Sequence, residues 1–188
     1  MQIQIFQTGI DRYGLGWIRR LLCCSVAILV LVLVHPAHAV DKFKPFKLKT
    51  IDGVTRTLKD YQGKAILVTF FFPTCTYCNK VLPETLKIYN KYKDQGLKMV
   101  WINIVREEDN KVPAWLAQHR YNMPVLVGAS QRKLLKDYKI EISPEQLLVG
   151  RDGDILYRQR GYQAGDAAVL EGQIKQALHR TGQSLVAN

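Results

Sequence analysis

Residues Ala65–Cys78 read AILVTFFFPTCTYC. Eight nearly continuous apolar residues, Ala65–Phe72, are rich in strand formers and carry no alternation. Such a run fits a β-strand buried on both faces. Pro73-Thr74 ends it, and Cys75 follows at once. From Cys75 to about Lys93 the period becomes helical, with Leu82, Leu86 and Tyr89 on one face and Val81, Ile88 and Tyr92 beside them. Lys80, Glu84, Lys87 and Lys91 form the wet face, and Pro83 is expected to kink the helix. The cysteine pair Cys75-Thr76-Tyr77-Cys78 therefore sits where a buried strand gives way to a helix.

Reading outward, Phe46–Leu48 and Thr55–Leu58 flank Asp52-Gly53 and predict a short leading hairpin. Lys98–Val105 predicts the next strand, Pro113–His119 a short helix, Pro124–Val127 a short strand and Gln131–Tyr138 another helix. Glu145–Val149 and Asp154–Arg160 are strands joined across Arg151-Asp152-Gly153, a hairpin signal. Gly165–His179 predicts a final amphipathic helix. The order is hairpin, β-α-β, connecting pieces, then β-β-α, which is an α/β sandwich around a central mixed β-sheet flanked by helices.

The chain has 188 residues, 47% hydrophobic and 23% charged. Those values exclude a disordered tail protein and a polytopic membrane protein. The first segment reads as an address. Arg12, Arg19 and Arg20 precede a 14-residue apolar run, Leu21–Val34, and Ala37-His38-Ala39 fits a small-x-small cleavage site. This is the pattern of a secretory signal peptide over residues 1–39. A membrane-spanning helix needs about 20 residues, so cleavage near Ala39 is favoured. An uncleaved anchor, attached through residues 18–34, is the alternative. Both place residues 40–188 outside the cytoplasm, in a periplasmic or other extracytoplasmic space.

Without residues 1–39 the chain keeps 24 basic and 15 acidic groups and two of its four cysteines, Cys75 and Cys78. One pair is no stapling framework for a domain able to bury its own core. An oxidising compartment and a lone Cys-x-x-Cys point to redox chemistry. At a helix N-terminus Cys75 meets the positive end of the macrodipole and free N–H groups, which favour thiolate. Cys78 lies further inside the same turn. The asymmetry assigns Cys75 as nucleophile and Cys78 as the resolving cysteine. A structural disulfide or half of a zinc site is the competing reading. Zinc would need a second ligand pair, and His119 and His179 stand far apart, so neither metal nor cofactor is expected.

These residues resemble a known family. FFPTCTYC after a buried strand, Pro83 in the helix and Ile142-Ser143-Pro144 before a late hairpin look like the thioredoxin fold. TIDGV and LKDYQGKAILVTFFF, from Thr50 to Phe72, resemble the extracytoplasmic TlpA/ResA-type thiol–disulfide oxidoreductases within it. The resemblance covers about residues 43–180. It implies a thioredoxin-like domain exchanging disulfides with protein thiols, a cis Pro144 facing the active-site disulfide, and no cofactor beyond the disulfide itself. A membrane redox partner and a monomeric state are further expectations.

The departures are specific. Thr74 stands where the family usually has Trp before the first cysteine. Thr69 replaces the buried Asp of thioredoxins, and Val81 the Glu of some members. Both missing carboxylates would handle the proton of Cys78. Thr76-Tyr77, between the cysteines, differs from Gly-Pro and is expected, with Thr74, to tune the site. Glu107, Glu108 and Asp109 follow a strand near the site, and a solvated acidic loop is the expected reading. Two other functions compete. A peroxiredoxin-like peroxidase needs a Thr three residues before its cysteine, where Phe72 stands here. A non-enzymatic metal carrier or assembly factor of this fold would use Cys-x-x-x-Cys and a distant His. The basic surface, with Lys42, Lys44, Lys47 and Lys49 in front, reads as a solvated face; an exported domain meets little nucleic acid.

Overall fold

A computed structural model describes residues 41–63 and 65–186. The expected signal segment, residues 1–39, lies outside the described residues. The long apolar run forms a strand, Ala65–Phe71, with every residue buried. Numbered in chain order, the strands are β1 (Lys47–Thr50), β2 (Thr55–Thr57), β3 (Ala65–Phe71), β4 (Leu97–Asn103), β5 (Val125–Val127), β6 (Glu145–Gly150) and β7 (Ile155–Arg160). The helices are α1 (Cys78–Tyr92), α2 (Val112–His119), α3 (Gln131–Tyr138) and α4 (Asp166–Val186). All seven strands join one sheet in the order β2-β1-β5-β4-β3-β6-β7. β3 runs parallel to β4 and antiparallel to β6, so the sheet is mixed.

β3 is central and its alternate residues feed two separate cores. Leu67 and Phe71, with Met99 and Trp101 of β4, pack beneath α1, α2 and α4 through Leu82, Trp115, Leu170 and Ile174. Ile66, Val68 and Phe70, with Val100 and Ile102, pack against Phe43, Phe46, Leu134 and Tyr138 on the other side. That double burial is why the run is continuously apolar: neither face can carry a polar residue without a partner. Thr69 is the exception, and its hydroxyl accepts a bond from the buried Gln146 amide at 3.3 Å.

Several boundaries differ from the sequence expectation. α1 begins at Cys78 rather than Cys75, because residues 73–77 make a separate turn in which the Cys75 N–H bonds to Phe72 O at 3.1 Å. Its buried side is Val81, Leu82, Thr85, Ile88 and Tyr92, whereas Leu86 and Tyr89 are only partly covered. Thr85 can be buried because its hydroxyl bonds back to the carbonyls of Val81 and Leu82. The helix is continuous through Pro83. β4 stops at Asn103, whose amide donates to Val105 O at 2.8 Å and to Asp109 at 2.6 Å, turning the chain away from the sheet. α4 runs past His179 to Val186. Three short 3-10 segments, Leu58–Tyr61, Lys93–Gln95 and Arg106–Lys111, punctuate the chain; Leu58 and Lys93, expected at the ends of a strand and a helix, open the first two, and the expected acidic loop forms the third.

Candidate active site

The C-terminal end of β3 delivers the chain to the cysteines. Cys75 and Cys78 form a disulfide, S–S 2.13 Å and Cα–Cα 5.2 Å. The Cys78 N–H, first of α1, donates to Cys75 Sγ at 3.1 Å. Cys75 keeps 5% of its surface exposed and Cys78 none. The outer sulfur is therefore the one that both a partner and the helix terminus can reach. The other first-turn donors are engaged on backbone: Asn79 N–H on Cys75 O, and Lys80 and Val81 N–H on Tyr77 O.

Ser143 faces both sulfurs from the loop before β6. Its Oγ lies 3.2 Å from Cys78 Sγ, 3.8 Å from Cys75 Sγ and 3.3 Å from Phe70 O. The following peptide bond, Ser143–Pro144, is cis, and Pro144 is buried. Thr76 and Tyr77 point outward. Tyr77 is 56% exposed, with Lys80 Nζ 5.5 Å from its ring centroid, and Ile142 is 47% exposed on the opposite loop.

The acidic segment after β4 is not the solvated loop its composition predicts. The Glu108 carboxylate accepts two bonds from Thr74, one from the hydroxyl at 2.6 Å and one from the backbone N–H at 3.1 Å. Lys111 stands 3.5 Å away. Burial alone would push the Glu108 carboxyl up; the two Thr74 bonds and Lys111 outweigh it and hold the group below the usual range. Asp109 accepts from Asn103 and from the Gly128 N–H at 2.9 Å, which fixes the segment to the sheet end. Glu107 alone of the three is exposed. Asn79 adds a further brace, accepting from Trp115 Nε1 at 3.0 Å and donating to Pro73 O at 3.4 Å.

Among the described residues no carboxylate lies on the cysteine side of β3, where the resemblance would place one at Thr69 or Val81. Thr69 pairs with Gln146, and Val81 is buried among apolar side chains. Glu145, next to Pro144, turns to the other face of the sheet. It is wholly buried, and its Oε1 receives Arg158 Nη1 and, at 3.5 Å, Arg160 Nε. Burial pushes this carboxyl up, against the pull of both arginines. Among the described residues no three His, Cys, Asp or Glu side chains converge on a point that could hold a metal. His119 instead stacks on Tyr121, with its Nδ1 2.9 Å from Trp115 O.

Sequence reading passes over Ser143 and Glu145 as supporting residues and takes Glu108, though near the site, as part of a solvated loop. Nothing in the sequence around Ser143 marks its side chain apart from the proline that follows. The acidic run after β4 was the one signal for Glu108. A lone Glu opening an apolar strand was the signal for Glu145.

A paired Cys-x-x-Cys at the end of the central parallel strand of this sheet defines a thioredoxin-fold thiol–disulfide oxidoreductase. The chain belongs to the redoxin family, whose profile matches residues 38–174. It is 28% identical over 130 residues to the thiol-disulfide oxidoreductase ResA of Bacillus thuringiensis strain Al Hakam, covering 69% of this chain and 73% of that one. It is 26% identical over 145 residues to the sporulation thiol-disulfide oxidoreductase A of Bacillus subtilis, covering 73% and 87%. Among solved structures, a thiol:disulfide interchange protein from a Bacteroides species superposes with TM-score 0.60 at 27% identity, covering 74% and 90%.

Proposed function

We propose that this protein exchanges disulfides with protein substrates in an extracytoplasmic compartment, Cys75 acting as nucleophile and Cys78 as resolving cysteine. The observation that carries the assignment is the Cys78 N–H donated to Cys75 Sγ at the start of α1. In the reduced protein the same donor and the helix terminus stabilise the Cys75 thiolate and pull its pKa below about 8.5. That thiolate attacks a partner disulfide, a mixed disulfide forms at Cys75 Sγ, and the partner's other sulfur leaves as thiolate. Cys78, as thiolate, then attacks Cys75 Sγ and releases the partner's second sulfur. Run backwards, the steps insert a disulfide into a dithiol partner.

Thr74, Thr76 and Tyr77 tune the site. Thr74 ties the turn before Cys75 to an anion, and Thr76-Tyr77 set the turn that holds the donor N–H. Pro144 lies beside the disulfide without an N–H to compete for the thiolate. The lead segment directs export, by cleavage near Ala39 or by membrane attachment through residues 18–34, and a membrane redox partner recharges a monomeric domain without cofactor. N-terminal sequencing of the exported chain tests the cleavage; a start at Val40 supports it.

The direct test is mixed-disulfide trapping. Cys78→Ser should accumulate covalent adducts through Cys75 with a disulfide-bearing protein, and Cys75→Ser should give none. Adducts through Cys78 in the Cys75→Ser protein would overturn the assignment.

A further inference from the structure

We propose that Ser143 is a catalytic residue of the exchange: its hydroxyl donates a hydrogen bond to the Cys78 thiolate each time the disulfide opens. This rests on the oxidoreductase reading above and deepens it.

The need for such a donor follows from the burial of Cys78. Its sulfur has no exposed surface, so an anion there is cut off from bulk water. The first-turn N–H groups of α1, the usual stabilisers of a thiolate at a helix terminus, are spoken for. Cys78 N–H serves Cys75 Sγ, Asn79 N–H serves Cys75 O, and Lys80 and Val81 N–H serve Tyr77 O. Among the described residues no carboxylate stands below at Thr69, which bonds Gln146 instead. Among the described residues, the Ser143 hydroxyl lies within hydrogen-bond distance of Cys78 Sγ, at 3.2 Å.

That hydroxyl has one proton and three acceptors around it. Phe70 O at 3.3 Å is a resting place for the proton while the sulfurs are joined and uncharged. Once Cys78 is anionic, the charged acceptor is the stronger one, and the O–H turns to it. Its reach of 3.8 Å to Cys75 Sγ keeps it within range of the second sulfur. The loop is held at both ends. Arg158 links buried Glu145 to Tyr138 O, its Nη2 donating at 2.9 Å, and the Gly161 N–H bonds Pro144 O at 2.8 Å.

The step balances without proton transfer. An external thiolate attacks Cys75 Sγ, forming a new S–S bond. The Cys75–Cys78 bond breaks, and its electron pair leaves on Cys78 Sγ, which receives the Ser143 O–H hydrogen bond. In the reverse direction Cys78 attacks Cys75 Sγ and the external sulfur carries the pair away.

The experiment measures the rate at which dithiothreitol opens the disulfide of the oxidised protein at fixed pH. Samples are quenched by alkylation and counted by mass, for wild type, Ser143→Ala and Ser143→Thr, with thermal melting as the fold control. Loss of one hydrogen bond to an ionised group should slow opening about tenfold in Ser143→Ala. Ser143→Thr, which keeps a hydroxyl, should stay within about threefold of wild type. A Ser143→Ala protein opening within twofold of wild type overturns the role of Ser143. So does a folded Ser143→Thr protein as slow as Ser143→Ala. A wild-type protein whose disulfide does not exchange at all overturns the oxidoreductase reading itself, a result distinct from either.

Discussion

Glu108→Ala removes one carboxylate that ties the turn before Cys75 to the end of β4. Three contacts vanish: the Thr74 hydroxyl at 2.6 Å, the Thr74 N–H at 3.1 Å and Lys111 at 3.5 Å. A buried hydrogen bond to an ionised acceptor contributes about 1.5–3 kcal/mol. Thr74 is exposed, so water recovers much of each bond, and the Lys111 pair adds at most about 1 kcal/mol. A total of about 1–2 kcal/mol is expected. With a urea slope of about 2 kcal/mol/M, the middle of the usual range, the unfolding midpoint of the oxidised protein should fall by roughly 0.5–1 M at pH 7. The pH dependence fixes the cause. Glu108 is held below its ordinary value of 4.5 in the folded state. The unfolded chain therefore takes up the proton first as pH falls. The contribution is complete above the ordinary value and is lost as pH drops through the folded one. The gap between wild type and Glu108→Ala should be widest at neutral pH and narrow once the pH falls below the ordinary value of 4.5. A variant within 0.3 kcal/mol of wild type at pH 7, well under the ~1 kcal/mol expected, would refute the reasoning. So would a gap unchanged down to pH 3, below the ordinary carboxyl range of about 4.

Two further outcomes follow from buried and bridging carboxylates. Arg158→Met leaves wholly buried Glu145 with Arg160 alone, and should cost about 2–4 kcal/mol in urea unfolding at pH 7. Because burial raises the Glu145 pKa, the ionised form is the costly one, so this deficit should shrink as the pH falls and Glu145 takes a proton; a deficit that grows on acidification would contradict it. Glu171 on α4 joins α1 through Lys91 and Tyr92, each at 2.7 Å, and these bonds hold its carboxyl down at about 2 against an ordinary 4.5. Its contribution is present above pH 4.5 and lost toward pH 2, so an acid titration should show Glu171→Gln converging on wild type across that window. Parallel curves would remove the linkage.

The parts of the fold visible in the sequence are those set by local pattern. The helix expected over Gln131–Tyr138 has those bounds, and β3 is legible because both of its faces are buried. The cysteine pair was legible because its spacing is one helical turn. The 3-10 segments were not, being short and polar: Leu58–Tyr61 is organised by Asp60 accepting from the Thr57 N–H at 2.6 Å, a contact that composition does not encode. The start of α1 slipped by three residues because the turn after Pro73 uses the same residue types as a helical first turn. Contacts across the fold were the least legible. Thr74 meets Glu108 from 34 residues away and Ser143 meets Cys78 from 65, and nothing in one sequence marks those pairings. The acidic run Glu107–Asp109 reads as solvent-facing by charge, yet two of its three carboxylates close on backbone and side-chain donors.

The measurement closest to the core of this account is the pH dependence of alkylation of the reduced protein by iodoacetamide, with each cysteine followed separately by peptide mass. Cys75 should react first and along a curve whose midpoint falls below about 8.5, while Cys78 lags at every pH. Equal reactivity of the two, or prior modification of Cys78, would contradict the placement of the ionised sulfur at the tip of α1.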